Sequence, residues 1–150
     1  RFRQRPILED YLRKSVQTGI SVLVVDDNPV LLESLQLMLS RRGVNFEGAN
    51  NGEMGLDIAK QSQPDIVLLD IMMPGLDGWE VCEQLRQNSD VPIVMLSALD
   101  SEESIERAWE VGADDYIVKP PSPLGLVKRI RELLRRDPYS VVNRNDASSP

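Results

Sequence analysis

The chain has 150 residues, with 17 Lys and Arg against 24 Asp and Glu, a net charge of −7 and 41% hydrophobic residues, enough for one domain with a core and a short appendage. It contains no histidine and a single cysteine, Cys82, which excludes Ser/His/Asp and Cys/His triads, His-containing zinc sites, a histidine general base and an internal disulfide, and makes a reducing compartment the expectation. The longest apolar stretches, 66–69 and 93–96, are strand-sized, so neither a signal peptide nor a membrane span is expected and the sequence reads as soluble and cytoplasmic.

Charge is uneven along the chain. Residues 1–19 carry +3, residues 20–134 carry −11 and residues 135–150 carry +1. So acidic a body is not expected to bind nucleic acid by its own surface, because phosphate contacts need clustered Lys and Arg, but it suits a divalent cation. The first residue is Arg1, which reads as a processed or excised piece of something longer.

Residues 1–19 are a basic N-terminal extension or linker, with Ile7, Leu8, Tyr11, Leu12 and Val16 spaced for a short helix that is marginal in isolation. Such a helix could pack on the following domain, join a preceding one or mediate association. From 20 to 136 apolar runs alternate with helical patterns, the βαβ signature, and form one domain. The first strand is 20–25, ending at Asp26-Asp27. Pro29 opens a helix to residue 42 with Leu31, Leu35, Met38 and Leu39 on one face and Gly43 as its stop. A weaker strand at 44–48 leads through Asn51-Gly52 to a helix at 53–62, broken by Pro64.

The third strand, 65–69, runs into Asp70 and a loop of turn residues from Met72 to Gly78. Residues 79–88 read as helix, 91–96 as strand, 101–111 as helix closed by Gly112, and 115–118 as the fifth strand. After Lys119-Pro120-Pro121, residues 123–136 form a last helix with Val127, Ile130, Leu133 and Leu134 inward. Residues 137–150 are polar and read as a flexible tail or linker. Three of the strands are apolar runs rather than alternations, as a parallel sheet covered on both faces requires. Five βα units give an α/β, doubly wound, five-stranded parallel sheet, whose ligands sit at the carboxyl ends of the strands.

Asp26 and Asp27, Asp70, Ser97 and Lys119 all fall at that edge. Singly, a carboxylate or hydroxyl after a strand is a helix cap or a solvated loop residue, and Asp77 and Ser101 are read as caps. Three carboxylates together repel unless a cation neutralises them, so the cluster predicts a metal. With no soft ligand available the metal is Mg²⁺, which takes one or two carboxylates and keeps several waters. Asp70 is then free to attack a phosphoryl group and hold it as an acyl phosphate, with Mg²⁺, the Lys119 ammonium and the Ser97 hydroxyl neutralising the phosphoryl oxygens.

The segments Val24-Val25-Asp26-Asp27-Asn28, Leu69-Asp70 through Asp77-Gly78, Ser97-Ala98, and Gly112-Ala113-Asp114-Asp115-Tyr116-Ile117-Val118-Lys119-Pro120 together closely resemble the receiver domain of two-component response regulators, over about residues 20–136. The resemblance implies a flavodoxin-like receiver fold with sheet order 2-1-3-4-5 and a cis peptide at Lys119-Pro120. It implies Asp70 as phosphoacceptor from a sensor histidine kinase or phosphotransfer protein, Mg²⁺ held by Asp26, Asp27, Asp70 and the backbone carbonyl of Met72, and phosphoryl contacts from Lys119 and Ser97. The donor histidine lies on the partner, in keeping with a chain that has none. Ser97 and Tyr116 are the implied switch, which alters the surface of the fourth helix, fifth strand and fifth helix that an output domain or downstream protein reads.

The chain departs from that pattern at Pro121, where the family usually has Phe. Asp115 and Arg129 suit a charge pair across a family dimer face, with Trp109 as an apolar contact, yet Ile105 and Gly125 stand where that face usually has a base and an acid, and a homodimer stays an open alternative. Met72 and Leu99 can neither orient nor activate a water, so slow autodephosphorylation is expected. An enzyme is not expected: a Mg²⁺-dependent phosphohydrolase of the haloacid-dehalogenase type needs an acid two residues after its nucleophile, and that position is Met72. A scaffold that takes no phosphate is the remaining alternative.

Overall fold

A computed structural model describes residues 19–135. The expected N-terminal helix and the 137–150 tail lie outside these residues. The elements alternate strictly: β1 Ser21–Val25, α1 Pro29–Ser40, β2 Asn45–Ala49, α2 Gly52–Ser62, β3 Ile66–Leu69, α3 Gly78–Asn88, β4 Ile93–Ser97, α4 Glu102–Glu110, β5 Asp115–Val118 and α5 Pro123–Leu134. All pairings are parallel and the order is β2-β1-β3-β4-β5. The expected architecture and sheet order are therefore present. Among the described residues no helix is long and apolar enough to cross a membrane.

The apolar runs are explained by the two covered faces. Leu23, Val25, Val67, Leu69, Ile93 and Met95 point into one core with Val81, Cys82 and Leu85 of α3 and Ala108 of α4. Their alternates Val22, Val24, Ile66, Leu68, Val94 and Leu96 point into the other, under Leu35 and Leu39 of α1 and Leu126, Val127, Ile130 and Leu133 of α5. Each such side chain, once fully buried, contributes about 1.5–3 kcal/mol of transfer free energy. Leu126 belongs to the inward face of α5, and Leu134, expected there, is only partly buried.

Helix boundaries follow local chemistry. Asn28 caps α1 by accepting from Val30 N and Leu31 N, with Pro29 at the first helical position, and Gly43 takes a positive φ of 75° just beyond its end. The side chains of Asn51, Asp77, Ser101 and Ser122 cap α2 to α5 in the same way, so Asp77 and Ser101 act as the caps expected of them. β2 starts one residue later than expected because Val44 N is taken by Leu39 O at the end of α1. β4 starts at Ile93 because Pro92 has no N–H to give the ladder, although its carbonyl still accepts from Val67 N.

A polar latch joins α3 to the start of β4 and β5. Arg86 Nη2 pairs with Asp114 Oδ2 at 2.6 Å, and Arg86 Nε donates to Gly112 O at 2.8 Å. The same Asp114 oxygen accepts from Ile93 N at 2.8 Å. Alongside it the Arg107 guanidinium of α4 lies over the Trp79 ring of α3, 4.3 Å from its centroid. Asp114→Ala would leave the Arg86 charge and the Ile93 N–H without this acceptor. Urea unfolding is expected to show a loss of about 2–4 kcal/mol, and a loss below about 0.5 kcal/mol, as for an exposed ion pair, would refute the latch.

Candidate functional site

Strand pairing places the site residues. Val25 is opposite Leu69 in the β1–β3 register, so Asp26 and Asp70 leave the sheet side by side, with Asp26 N donating to Ala49 O and Asp70 N to Val25 O. On the other flank Ser97 pairs with Val118, and Lys119 N donates to Ser97 O at 2.9 Å. The Lys119–Pro120 peptide is cis. The Lys119 ammonium then lies 2.6 Å from Asp26 Oδ2 and 3.4 Å from Asp70 Oδ2.

The second oxygen of each buried carboxylate is fixed by main chain. Asp26 Oδ1 accepts from Asn28 N and Asp70 Oδ1 from Ile71 N, each at 2.8 Å. Asp26 and Asp70 are buried and Asp27 is exposed, yet carboxylate oxygens of all three lie within 4.8 Å of one another. Three carboxylates thus face one ammonium. Burial, and next the charge of Asp26, push the Asp70 carboxyl above its ordinary value of 3.8, against the attraction and hydrogen bond of Lys119 and the Ile71 N–H. The excess negative charge and the all-oxygen donor set fit a hard divalent cation such as Mg²⁺. The Asp70 oxygen that faces Lys119, Oδ2, is the one not taken by the Ile71 N–H.

Ser97 is fully buried at the end of β4, and its Oγ accepts from Leu99 N at 3.3 Å. Tyr116, opposite Met95 in the β4–β5 register, donates its hydroxyl to Leu99 O at 2.6 Å. The two residues therefore meet on the main chain of Leu99. Burial pushes the Tyr116 phenol above its ordinary value. Met72, two residues beyond Asp70, exposes its side chain.

Two contributors, Asn28 and Gly78, had no individual role in the sequence reading, and Leu99, expected only as an apolar group that cannot activate a water, has a second one. Asn28 both caps α1 and orients Asp26 through its N–H. Leu99 supplies its main chain to Ser97 and Tyr116. A Cβ at Gly78 would lie 2.2 Å from Asp70 O and 2.6 Å from Ile71 Cα, so only glycine lets the start of α3 pack on the backbone that carries Asp70. Its signal was a glycine directly after a cap aspartate. Asp115 and Arg129, which suit a charge pair across a family dimer face, are bonded to each other within the chain, because α5 lays Arg129 over the start of β5 and both its Nε and Nη2 reach the Asp115 carboxylate.

Comparison with known proteins adds an independent view. A family model described as "Response regulator receiver domain" matches residues 22–131. The chain is 47% identical over 121 residues to a probable transcriptional regulator, ycf27, of Guillardia theta, covering 81% of this chain and 48% of that protein. It is 44% identical over 116 residues to the DNA-binding response regulator MtrA of Mycolicibacterium smegmatis, covering 77% of this chain and 51% of the relative. The chain thus spans about half the length of these curated relatives. Among solved structures, the receiver domain of Francisella response regulator 1452 superposes with a TM-score of 0.75 at 34% identity, over 79% of this chain and 98% of that one.

The raised Asp70 carboxyl has a direct consequence. In the folded protein without metal Asp70 is protonated more readily than in the unfolded chain, so stability falls as pH rises from below 3.8 through the folded value and stays lower at neutral pH. With a chelator present, Asp70→Asn is expected to unfold at a higher temperature than the parent at pH 7, with the gain shrinking as pH falls below the carboxyl range. A variant less stable at pH 7, or a difference unchanged with pH, would contradict this placement of the charge.

Proposed function

Because the chain belongs to the response regulator receiver domain family, we propose that it is a phosphorylation-dependent switch whose phosphoacceptor is Asp70. The observation that carries this reading is the Lys119 ammonium set between Asp26 and Asp70, with Asp27 beside them. In the reaction an Asp70 carboxylate oxygen attacks the phosphorus of a phosphohistidine on a sensor histidine kinase or phosphotransfer protein. A P–O bond forms and the P–N bond breaks, and the departing imidazole keeps the electron pair and takes a proton from solvent. The chain itself has no histidine.

In this reading Asp26, Asp27, Asp70 and the backbone carbonyl of Met72 hold Mg²⁺, which when bound neutralises charge on the phosphoryl oxygens. Lys119 is already drawn to Asp70 and pairs with the phosphoryl group as its charge arrives. Ser97 leaves the Leu99 N–H to contact the same group, and Tyr116, held on the Leu99 carbonyl, follows that segment. Ser97 and Tyr116 therefore convert a change at Asp70 into a change of the α4–β5–α5 surface.

Residues 20–136 form the switch, while 1–19 and 137–150 connect it to what it regulates. A transcriptional output is the reading favoured by relatives named as transcriptional regulators, through a domain or partner other than residues 20–136, whose acidic body does not suit nucleic acid. The location is cytoplasmic. Stoichiometric phosphorylation, rather than turnover of a phosphomonoester, distinguishes this function from a phosphohydrolase, for which Met72 supplies no acid.

The protein and Asp70→Asn are to be incubated with acetyl phosphate or phosphoramidate with and without Mg²⁺, and their intact masses measured. One phosphoryl adduct is expected, reduced at least about tenfold by a chelator and lost in Asp70→Asn. No adduct, an equal adduct in Asp70→Asn, or multiple turnover of a phosphomonoester would overturn the proposal.

A further inference from the structure

Among the five helices α4 has the fewest buried residues. Ala108 alone is buried in it, whereas α3 and α5 each bury four, and an element with few buried contacts is the easier to displace. Its polar ties to α3 are also few. Just past its carboxyl end, Arg86 Nε donates to Gly112 O at 2.8 Å and Cys82 Sγ to Val111 O at 3.5 Å. One turn earlier the exposed Arg107 lays its guanidinium over the Trp79 ring, 4.3 Å from the centroid, and its charge also attracts the exposed Glu80 carboxylate. Trp79 Nε1 is buried and finds no acceptor among the described residues, so the face of the ring makes this contact. Among the described residues, no side chain of 102–106 hydrogen-bonds to another element. Arg107 is therefore the polar tie from α4 to α3 that lies nearest the carboxyl edge of the sheet, where α4 begins.

We propose that the Arg107 guanidinium over Trp79 is a clasp that keeps α4 against α3 in the resting state and opens when Asp70 carries a phosphoryl group. The inference rests on the reading of Asp70 as phosphoacceptor and adds the contact that sets the resting population. The segment leading into α4 is held at Leu99, whose N–H is donated to Ser97 Oγ and whose carbonyl accepts from the Tyr116 hydroxyl. Once Ser97 turns to the phosphoryl group and Tyr116 follows, that hold is lost, and the clasp is the tie that still resists movement of the amino half of α4. Behind it, Arg86 keeps the far end in place through Gly112 O and Asp114. A cation over an indole face at the surface biases a two-state equilibrium by a factor of only about two to five. Such a bias favours the closed state at rest and is small enough for the new contacts at Asp70 to overcome.

The test uses the full chain with Trp109→Phe, in which Trp79 is the single tryptophan, alone and combined with Arg107→Ala or Glu80→Gln. Each is titrated with beryllium fluoride, a non-covalent stand-in for the phosphoryl group, in the presence of Mg²⁺, and affinity is read by calorimetry. Removing the clasp enlarges the population able to take the ligand, so Arg107→Ala is expected to bind about two- to fivefold more tightly, a gain that a merely structural role of Arg107 does not produce. Glu80→Gln, which keeps the stack, should bind as the parent does. Trp79 emission should change on binding in the parent and far less in Arg107→Ala, where no cation leaves the ring. Equal or weaker binding by Arg107→Ala, an equal gain in Glu80→Gln, or binding by the parent without a change in Trp79 emission would overturn the clasp and leave the Asp70 reading standing. No binding by the parent would overturn both.

Discussion

Parallel pairing of β1 with β3 forces Asp26 and Asp70 to emerge next to each other from the sheet, and the repulsion between them has to be answered. Lys119 answers part of it. Its ammonium comes from β5, two strands away from β3 in the sheet, and reaches both carboxylates. The site therefore depends on all three of β1, β3 and β5 keeping their positions, and one lysine holds the far strand to the near ones. Asp27 adds a further negative charge that the lysine does not offset, so the pocket is left attractive to a divalent cation.

The scaffold around this cluster is apolar and the cluster is fixed mainly by main chain. Two cores clamp the sheet from both faces, which leaves the carboxyl edge as the place where polar groups gather. There Asn28 N and Ile71 N each hold one carboxylate oxygen, and Gly78 brings the start of α3 against the Asp70 backbone. On the other side of the edge, the Leu99 main chain joins Ser97 to Tyr116. The β1–β3 corner thus faces the β4–β5 corner across the Lys119 ammonium.

Much of this was legible in the residues. The runs at 22–25, 66–69 and 93–96 are apolar at successive positions, which only a sheet covered on both faces explains, and each ends in a polar residue at the same edge. The strand order was not in the periodicity and came from the resemblance of the Asp-Asp, Asp70, Ser97 and Lys119-Pro120 segments to a known family. What escaped depends on tertiary approach. No local pattern reveals that Arg129 turns back onto Asp115 in the same chain, that Gly78 meets Asp70 O, or that Leu126 rather than Leu134 completes the α5 face. Backbone donors such as Asn28 N and Leu99 N are equally silent, since every residue but proline has one.

The central claim is that Asp26, Asp27 and Asp70 form one under-neutralised site for a divalent cation. A Mg²⁺ titration followed by calorimetry and thermal unfolding, on the parent and on Asp27→Asn, tests it most directly because Asp27 is exposed and its replacement leaves the core untouched. The parent should bind a single Mg²⁺ and gain about 1.4 kcal/mol of stability when free Mg²⁺ is tenfold above the dissociation constant, with both effects greatly weakened in Asp27→Asn. Equal binding by parent and variant, or no binding by the parent, would contradict the account.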